Sequence, residues 1–331
     1  MMPNRTNPGS QTKFPGPAPR TDAPRTDAKR TVSKRTVSKR MGLTVLELLI
    51  TMSIIGLLMA ILLPAVHTAR EAARRTQCKN NLRQLGVALQ MHHDTFLTLP
   101  AGWSTIPGTP AASGWIPELL PFLEQANLAE EVKLVWPERM LGSNDAAIPL
   151  SPDTAQQMVD HVLKTSSIFS CPSDYADSTF LLFAEEEDDA FHDVLSDTVL
   201  MELPHSNYVG VSGISDPDEL RAPEGEGVLI RQKKFCFRDL TRGLSNVAVV
   251  SERTARRLAS TWLGFHMAGE DAPGRVVGFS SLGPNQPKAD ECEFDSRHPG
   301  CVQSLFADGH VEAVADHIDQ EVYQVMAKRN E

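Results

Sequence analysis

The longest apolar run in the chain is Leu43–Val66, 24 residues in which Glu47 is the only charged side chain. An α-helix rises about 1.5 Å per residue, so this run can cross a hydrocarbon core of about 30 Å. It is longer than the apolar part of a signal peptide, and a helical pattern follows it where a cleavage site would stand. The run predicts a transmembrane helix, and Pro64 is expected to bend it because proline removes one backbone donor.

After Val66 the pattern becomes that of an amphipathic helix. Apolar positions recur three and four residues apart, and charged residues fill much of the space between them. These positions are Val66, Ala69, Ala73, Leu82, Leu85, Leu89 and His92. The two patterns together predict one helix of about 50 residues that ends near 93–94, before Pro100.

Beyond residue 95, Gly and Pro separate short apolar runs. The pattern predicts a helix over 114–134 and a shorter one over 154–164. Strands are predicted at 209–211, 227–231, 246–251, 275–279, 302–306 and 310–314. Asp308-Gly309 between the last two strands indicates a two-residue hairpin of type I′. The expected fold class is α+β, with the long N-terminal helix packed on a globular head that contains an antiparallel sheet.

The charge is distributed unevenly around the apolar run. The whole chain has 32 Lys and Arg against 42 Asp and Glu, a net charge of −10, which argues against a nucleic-acid binder. Residues 1–42 hold 10 of the basic residues and only two acids, a net of +8, so residues 43–331 carry −18. A basic leader, an apolar span and an acidic body are typical of a membrane-inserted protein with an exported body.

Candidate chemistry in the body is sparse. The five cysteines include no CxxC pair, and an exported body permits disulfides. Two pairings are hypotheses that the spacing does not decide, Cys78 with Cys171 and Cys292 with Cys301. Glu185–Asp189 is expected to be an exposed acidic loop.

Histidines offer the other candidate ligands. His298, Asp308 and His310 could form a metal or acid–base cluster. The favoured interpretation is structural, with Asp308 and Gly309 forming a turn and His298 fixing the preceding loop. His92 is expected to make a contact at the helix end. The chain has neither a nucleophile elbow nor a phosphate-binding loop, so we predict that it is not an enzyme and needs no cofactor or metal.

The junction Lys39-Arg40-Met41-Gly42-Leu43-Thr44-Val45-Leu46-Glu47 resembles that of type IV prepilins and of type II secretion pseudopilins. The resemblance implies cleavage after Gly42 by a prepilin peptidase, methylation of Leu43, and an acid at the fifth mature position, Glu47. Pro64 matches a proline common in pilins. An ordinary signal anchor is the alternative.

The remainder resembles the domain of unknown function 1559, abundant in planctomycete-type bacteria, which couples a prepilin-type N-terminus to a motif of His, nine residues, Asp and Gly. His298, Asp308 and Gly309 match that spacing. Further matching blocks are Cys78 to Leu85, Leu120 to Gln125, Cys171-Pro172-Ser173-Asp174, Ser206-Asn207-Tyr208 and Ser245-Asn246.

The resemblance implies a leader at 1–42, a pilin-like helix at 43–94 with its transmembrane part at 43–66, and a head at 95–331. The expected location is the inner membrane, with the N-terminus cytoplasmic and the head periplasmic or extracellular. Expected partners are the peptidase, other pilin-like subunits, which contact through the N-terminal helix, and membrane lipid, with no nucleic acid. A membrane-tethered binding module that uses the pilin anchor only for export is the second hypothesis.

Overall fold

A computed structural model of the chain describes residues 44–141, 157, 159–163, 168–185, 198–218 and 225–331. These residues form two compact units, which divide between Leu57 and Leu58. The leader at 1–42 and the expected acidic loop at 185–189, apart from Glu185, lie outside the described residues. Of the helix expected at 154–164, the described residues 157 and 159–163 are helical.

The predicted long helix is confirmed as α1, Val45–Phe96, which has 52 residues and continues through Pro64. Its buried face begins only at Cys78 and then includes Leu82, Leu85 and Leu89. The first positions of the amphipathic pattern are exposed: Val66, Ala69 and Ala73. An apolar face is buried only where other residues cover it, and buried packing of α1 starts at Cys78, a little over three turns after Val66.

Within the described residues, α1 is followed by two further helices with established bounds, by a helical stretch at 159–163, and by eleven strands. The helices are α2, Ala126–Leu141, and α3, Gln320–Met326. The strands are β1 Trp103–Thr105, β2 Ala111–Gly114, β3 Thr179–Phe183, β4 Val199–Ser206, β5 Tyr208–Gly213, β6 Ala248–Glu252, β7 Ser260–Thr261, β8 Gly264–His266, β9 Val277–Phe279, β10 Cys301–Phe306 and β11 Val311–Ala315. The α+β class is therefore confirmed.

The strands form three sheets. The largest has the order β11-β10-β6-β5-β9, and the smaller ones are β1-β2-β8 and β3-β4-β7. All pairings are antiparallel except that of β5 with β9. The β10–β11 hairpin pairs Leu305 with Val311, and β10 pairs Leu305 with Val250 on its other side.

The hairpin turn differs from the expected type. Only Gly309 has positive φ, at 91°, whereas type I′ requires it at both central residues. Gly309 N donates to Phe306 O at 2.9 Å, and Phe306 N donates to His310 O at 3.0 Å. These bonds define a three-residue loop, a type I turn followed by a left-handed glycine.

Two other predicted elements are also corrected. The helix expected over 114–134 is split into a 3₁₀ segment, Pro117–Leu123, and α2, because Glu124 adopts a left-handed conformation with φ of 60°. The strand expected at 227–231 is absent from the described structure; Leu229 N instead donates to Val211 O in a loop beside β5.

The main core joins α1 to the sheets. Leu82, Leu85 and Leu89 belong to one buried cluster with residues of the central sheet such as Val250 and Leu305. Gly86 permits close approach of the hairpin, because a Cβ there would lie 2.8 Å from Leu305 Cδ1 and 3.3 Å from Gly309 Cα. The second half of α1 is therefore part of the folded head.

Candidate functional site

The first candidate is the apolar part of α1. Among the described residues, α1 is the one helix long and apolar enough to cross a membrane, and the most apolar stretch of it has no buried residue. Large apolar side chains are exposed around the whole circumference, from Val66 at 43% to Val45 at 82%. A segment that is apolar on every side needs an apolar environment of its own.

Glu47 lies in the first turn of this helix. Thr44 N and Thr44 Oγ1 donate to Glu47 Oε2 at 2.8 and 3.1 Å, and Glu47 N donates back to Thr44 Oγ1 at 3.3 Å. This reciprocal arrangement is a capping box. Gly42 and Leu43 lie outside the described residues. Pro64 O accepts a bond from Thr68 Oγ1 at 3.0 Å.

The second candidate is a buried cluster in the head. Its four members come from four separate places: Cys78 from α1, Cys171 from the loop before β3, Glu252 from the end of β6, and His298 from the loop before β10. All four are buried, and their ligand atoms lie within 4.8 Å of one another. We call these residues the buried cluster.

The contacts within the buried cluster are short. The sulfurs of Cys78 and Cys171 are 2.7 Å apart, and both residues are free thiols in this structure. His298 Nε2 lies 3.4 Å from Cys171 Sγ and 3.6 Å from Glu252 Oε1. The predicted disulfide between the two cysteines stays a prediction, and their proximity is compatible with it.

The other nitrogen of His298 points to α1. His298 Nδ1 lies 2.6 Å from Glu71 Oε1, and Arg74 Nη2 donates to Glu71 Oε2 at 2.6 Å. Burial alone would lower the pKa of His298, but its interactions with Cys171, with the Glu252 carboxylate and with Glu71 raise that pKa to about 11. Burial tends to raise the pKa of Glu71, and the bonds from His298 and Arg74 hold it below its usual range. The ring is therefore an imidazolium at neutral pH.

The pKa values of the two thiols are shifted in opposite directions. The hydrogen bond from the Cys78 thiol lowers the pKa of Cys171 to about 6 against the effect of burial, and His298 assists. The same bond raises the pKa of Cys78, as burial also does. Cys171 and His298 thus form a thiolate–imidazolium pair, although only 6% of Cys171 is exposed, which leaves little room for a substrate at its sulfur.

The loop that carries Cys171 is held by Asn207. Cys171 N donates to Asn207 Oδ1 at 2.7 Å, and Asn207 Nδ2 donates to Asp174 Oδ2 and to Arg253 O at 2.8 and 2.9 Å. Three sequence blocks, one around Cys78, one from Cys171 to Asp174 and one at 206–208, therefore meet around one site. Tyr208 completes this convergence through a 3.3 Å bond from Asn81 on α1.

His298, Asp308 and His310 do not form the metal or acid–base cluster considered in the sequence analysis. Asp308 Oδ1 pairs with His310 Nδ1 at 2.5 Å at the hairpin, whereas His298 belongs to the buried cluster. Gly309 supplies the left-handed turn residue. His92 does make a helix-end contact, since its Nδ1 lies 2.8 Å from Thr98 O.

Sequence reasoning missed Glu252 and the role of Glu71. Glu252 lies in a buried strand with no motif around it, and Glu71 is one of many charges on α1. A weak signal existed, because a carboxylate in an apolar run such as 247–252 indicates a buried polar contact.

Comparison with known proteins identifies the family. Residues 67–321 match the family described as "Protein of unknown function (DUF1559)", and the chain belongs to it. No curated protein and no solved structure matches the chain.

Proposed function

We propose that this member of the DUF1559 family is a prepilin-like membrane protein, cleaved after Gly42 and assembled into a type IV pilus-like or type II secretion pseudopilus structure. The observation that carries the proposal is the exposed apolar half of α1, which follows directly on the basic pair and glycine at Lys39-Arg40-Met41-Gly42. Family membership and the apolar helix are both compatible with a pilin-like anchor.

Glu47 supports assembly through the membrane helix. A carboxylate within a membrane-spanning helix costs about 2.5–3.5 kcal/mol or more unless it is paired. The Thr44 hydroxyl and amide partly satisfy it in the single chain. Cleavage after Gly42 creates a positive amino group on Leu43, and the Leu43 of a neighbouring subunit supplies the full counter-charge. The partners are therefore the prepilin peptidase, which also methylates Leu43, and further pilin-like subunits.

The charge distribution supports one orientation in the inner membrane. Lys39 and Arg40 directly before the apolar run favour a cytoplasmic N-terminus. The head, in the part of the chain that carries the net charge of −18, then lies in the periplasm or outside the cell.

Mass spectrometry of the N-terminus of the mature protein tests the processing. We expect a chain that begins with methylated Leu43 in cells with an intact prepilin peptidase, and the uncut chain in cells without it. An intact Met1 in peptidase-positive cells, or a cut well beyond Val66, contradicts the proposal.

The second candidate function is a tethered binding module, and one surface feature favours it. A groove of about 500 Å³ lies between β11 and α3, lined by Arg242, Asn246, Glu312, His317, Val322 and Met326 among others. Its volume is within the range of small-molecule sites, which is about 300–1,000 Å³.

Glu47→Ala separates the two functions. Filament assembly requires the paired carboxylate, so we expect the variant to remain in the membrane and to disappear from sheared surface filaments. Glu47→Gln keeps the side-chain size and most of the capping contact with Thr44, so it isolates the role of the charge. A wild type without filaments, with unchanged fractionation of both variants, favours the tethered module.

A further inference from the structure

The buried cluster places a histidine and a carboxylate beside its two cysteines, and a disulfide would require neither of them. We propose that Cys78, Cys171, Glu252 and His298 bind one zinc ion. Two thiolates, one imidazole and one carboxylate form a four-ligand set that suits tetrahedral zinc. All four residues are at most 6% exposed, as expected of a structural site closed to water.

The orientation of His298 is that of a metal ligand. Its Nδ1 is held by Glu71 Oε1 at 2.6 Å, which leaves Nε2 directed at Cys171 and Glu252. Histidine ligands almost always place their other ring nitrogen on a carboxylate, carbonyl or water in this way. Glu71 is itself fixed by Arg74 and Ser173, so the ring is held from outside the cluster.

Glu252 provides an independent argument. Its Oε2 accepts bonds from Ser296 Oγ at 2.9 Å and Gln303 N at 3.1 Å. Its Oε1 is buried and has no hydrogen-bond partner among the described residues; the nearest cation, His298 Nε2, is 3.6 Å away. A buried carboxylate oxygen without a bond is costly. A disulfide would leave this oxygen as it is, whereas a divalent cation would bond to it.

Zinc binding requires one local adjustment. Two sulfurs on a tetrahedral zinc ion lie about 3.8 Å apart, given Zn–S bonds of about 2.3 Å. The observed 2.7 Å must therefore increase by about 1 Å, which a rotation of the Cys171 side chain supplies while Asn207 holds its backbone N–H. On binding, the protons of the Cys78 thiol and of His298 Nε2 pass to solvent, and zinc replaces them.

Metal analysis of the full-length protein tests the site. The chain is purified in detergent with a phosphine reductant, loaded with Zn²⁺, desalted and measured by plasma mass spectrometry. We expect about one zinc per chain, lost in Cys78→Ser and His298→Ala and retained in Cys236→Ser, whose half-exposed thiol caps a 3₁₀ turn elsewhere. Loading with Co²⁺ should give thiolate charge-transfer absorption in the wild type and in Cys236→Ser only.

A variant outside the ligand set keeps the test independent of misfolding. Glu71→Gln removes the carboxylate behind His298, and we expect zinc affinity to fall about 10–100-fold. Glu118→Gln is the matched control, because Glu118 lies against His92 Nε2 at 3.2 Å without any cysteine, and it should bind zinc as the wild type does. Three results would overturn the site: reduced wild type without zinc after loading, zinc retained in Cys78→Ser, or a Cys78–Cys171 disulfide in protein isolated from cells without reductant.

Discussion

Replacing Arg253, next to the buried cluster, is predicted to lower the free energy of unfolding of the head. Its side chain is fully buried, follows Glu252 directly, and donates to Ser260 Oγ at 3.0 and 2.8 Å and to Cys292 O at 3.0 Å. It also donates to Gly274 O. Burial lowers the pKa of Arg253 to about 10, so the guanidinium keeps its charge at neutral pH. The change to test is Arg253→Met, which preserves much of the apolar volume.

The expected loss follows from the acceptors left behind. Ser260 Oγ keeps its bond to Leu258 O, and Cys292 O keeps a long bond from Phe279 N, whereas Gly274 O loses its donor. An unpaired buried carbonyl costs about 1–3 kcal/mol, and the lost bonds to the charged group add to this. Relief of the desolvation of the guanidinium offsets part of the sum. We therefore expect the free energy of unfolding to fall by about 3 kcal/mol.

Thermal and urea unfolding of the detergent-solubilised chain measure this loss. About 3 kcal/mol corresponds to a fall in Tm of about 6–12 °C for a domain of this size. Arg256→Met is the matched control. Arg256 is exposed, and its ion pair with Asp295 Oδ2 is long at 3.6 Å, so its removal should cost less than about 1 kcal/mol. An Arg253→Met variant as stable as Arg256→Met would refute the reasoning.

Three further predictions concern α1 and its contacts. Glu118 accepts bonds from His92 and Lys234, which hold its pKa below 4.5 despite burial. Its contribution to stability is therefore present above pH 4.5 and is lost as the pH falls through the lower pKa of the folded state. In unfolding measured as a function of pH, Glu118→Gln should reduce this acid-dependent loss of stability by under about 1 kcal/mol. Gly86→Ala should lower the free energy of unfolding by about 1–3 kcal/mol, because the added Cβ meets the hairpin, even though alanine favours helix. The control is Gly56→Ala, whose Cβ meets nothing within 4 Å and which should leave the stability of the head unchanged. Leu85→Ala should cost about 2–5 kcal/mol in urea unfolding; Val87→Ala, at a position 58% exposed, should cost less than about 1 kcal/mol, and equal losses would contradict the assigned helix face.

The long helix and the central sheet could be predicted because their signals are local. An uninterrupted apolar run and a periodic face specify α1 with few alternatives, and alternation with flanking glycines specifies β10 and β11. The strands β3 and β4 were missed because they pair with each other without a short turn sequence between them and because β4 contains Pro204. The conformation of Glu124, which divides the expected helix at 114–134, depends on packing that no local pattern encodes.

The buried cluster could be predicted only in fragments. Cys78, Cys171 and His298 each lie in a recognisable block, but their meeting point is set by contacts between residues up to 227 positions apart, such as Glu71 with His298. Glu252 has no local signal beyond its place in a buried strand. A fragmentary prediction of this kind is expected wherever a site is assembled from several loops.

The stretch of α1 between Val66 and Cys78 is held against the head by polar contacts, and Glu71 is central to them. Glu71 follows Val66 by five residues, about 7.5 Å along the helix axis. Between these residues and Cys78 the helix has no buried side chain, so apolar packing cannot fix it there. The direct contacts of this stretch with the rest of the head are the bonds of Glu71 with His298 and Ser173, that of Arg74 Nε with Ser173 Oγ at 3.0 Å, and that of Arg75 with Pro299 O at 2.9 Å. Because bonds of this kind are directional, they fix the rotation of α1 as well as its position, and Cys78, seven residues further on the same face, then meets Cys171.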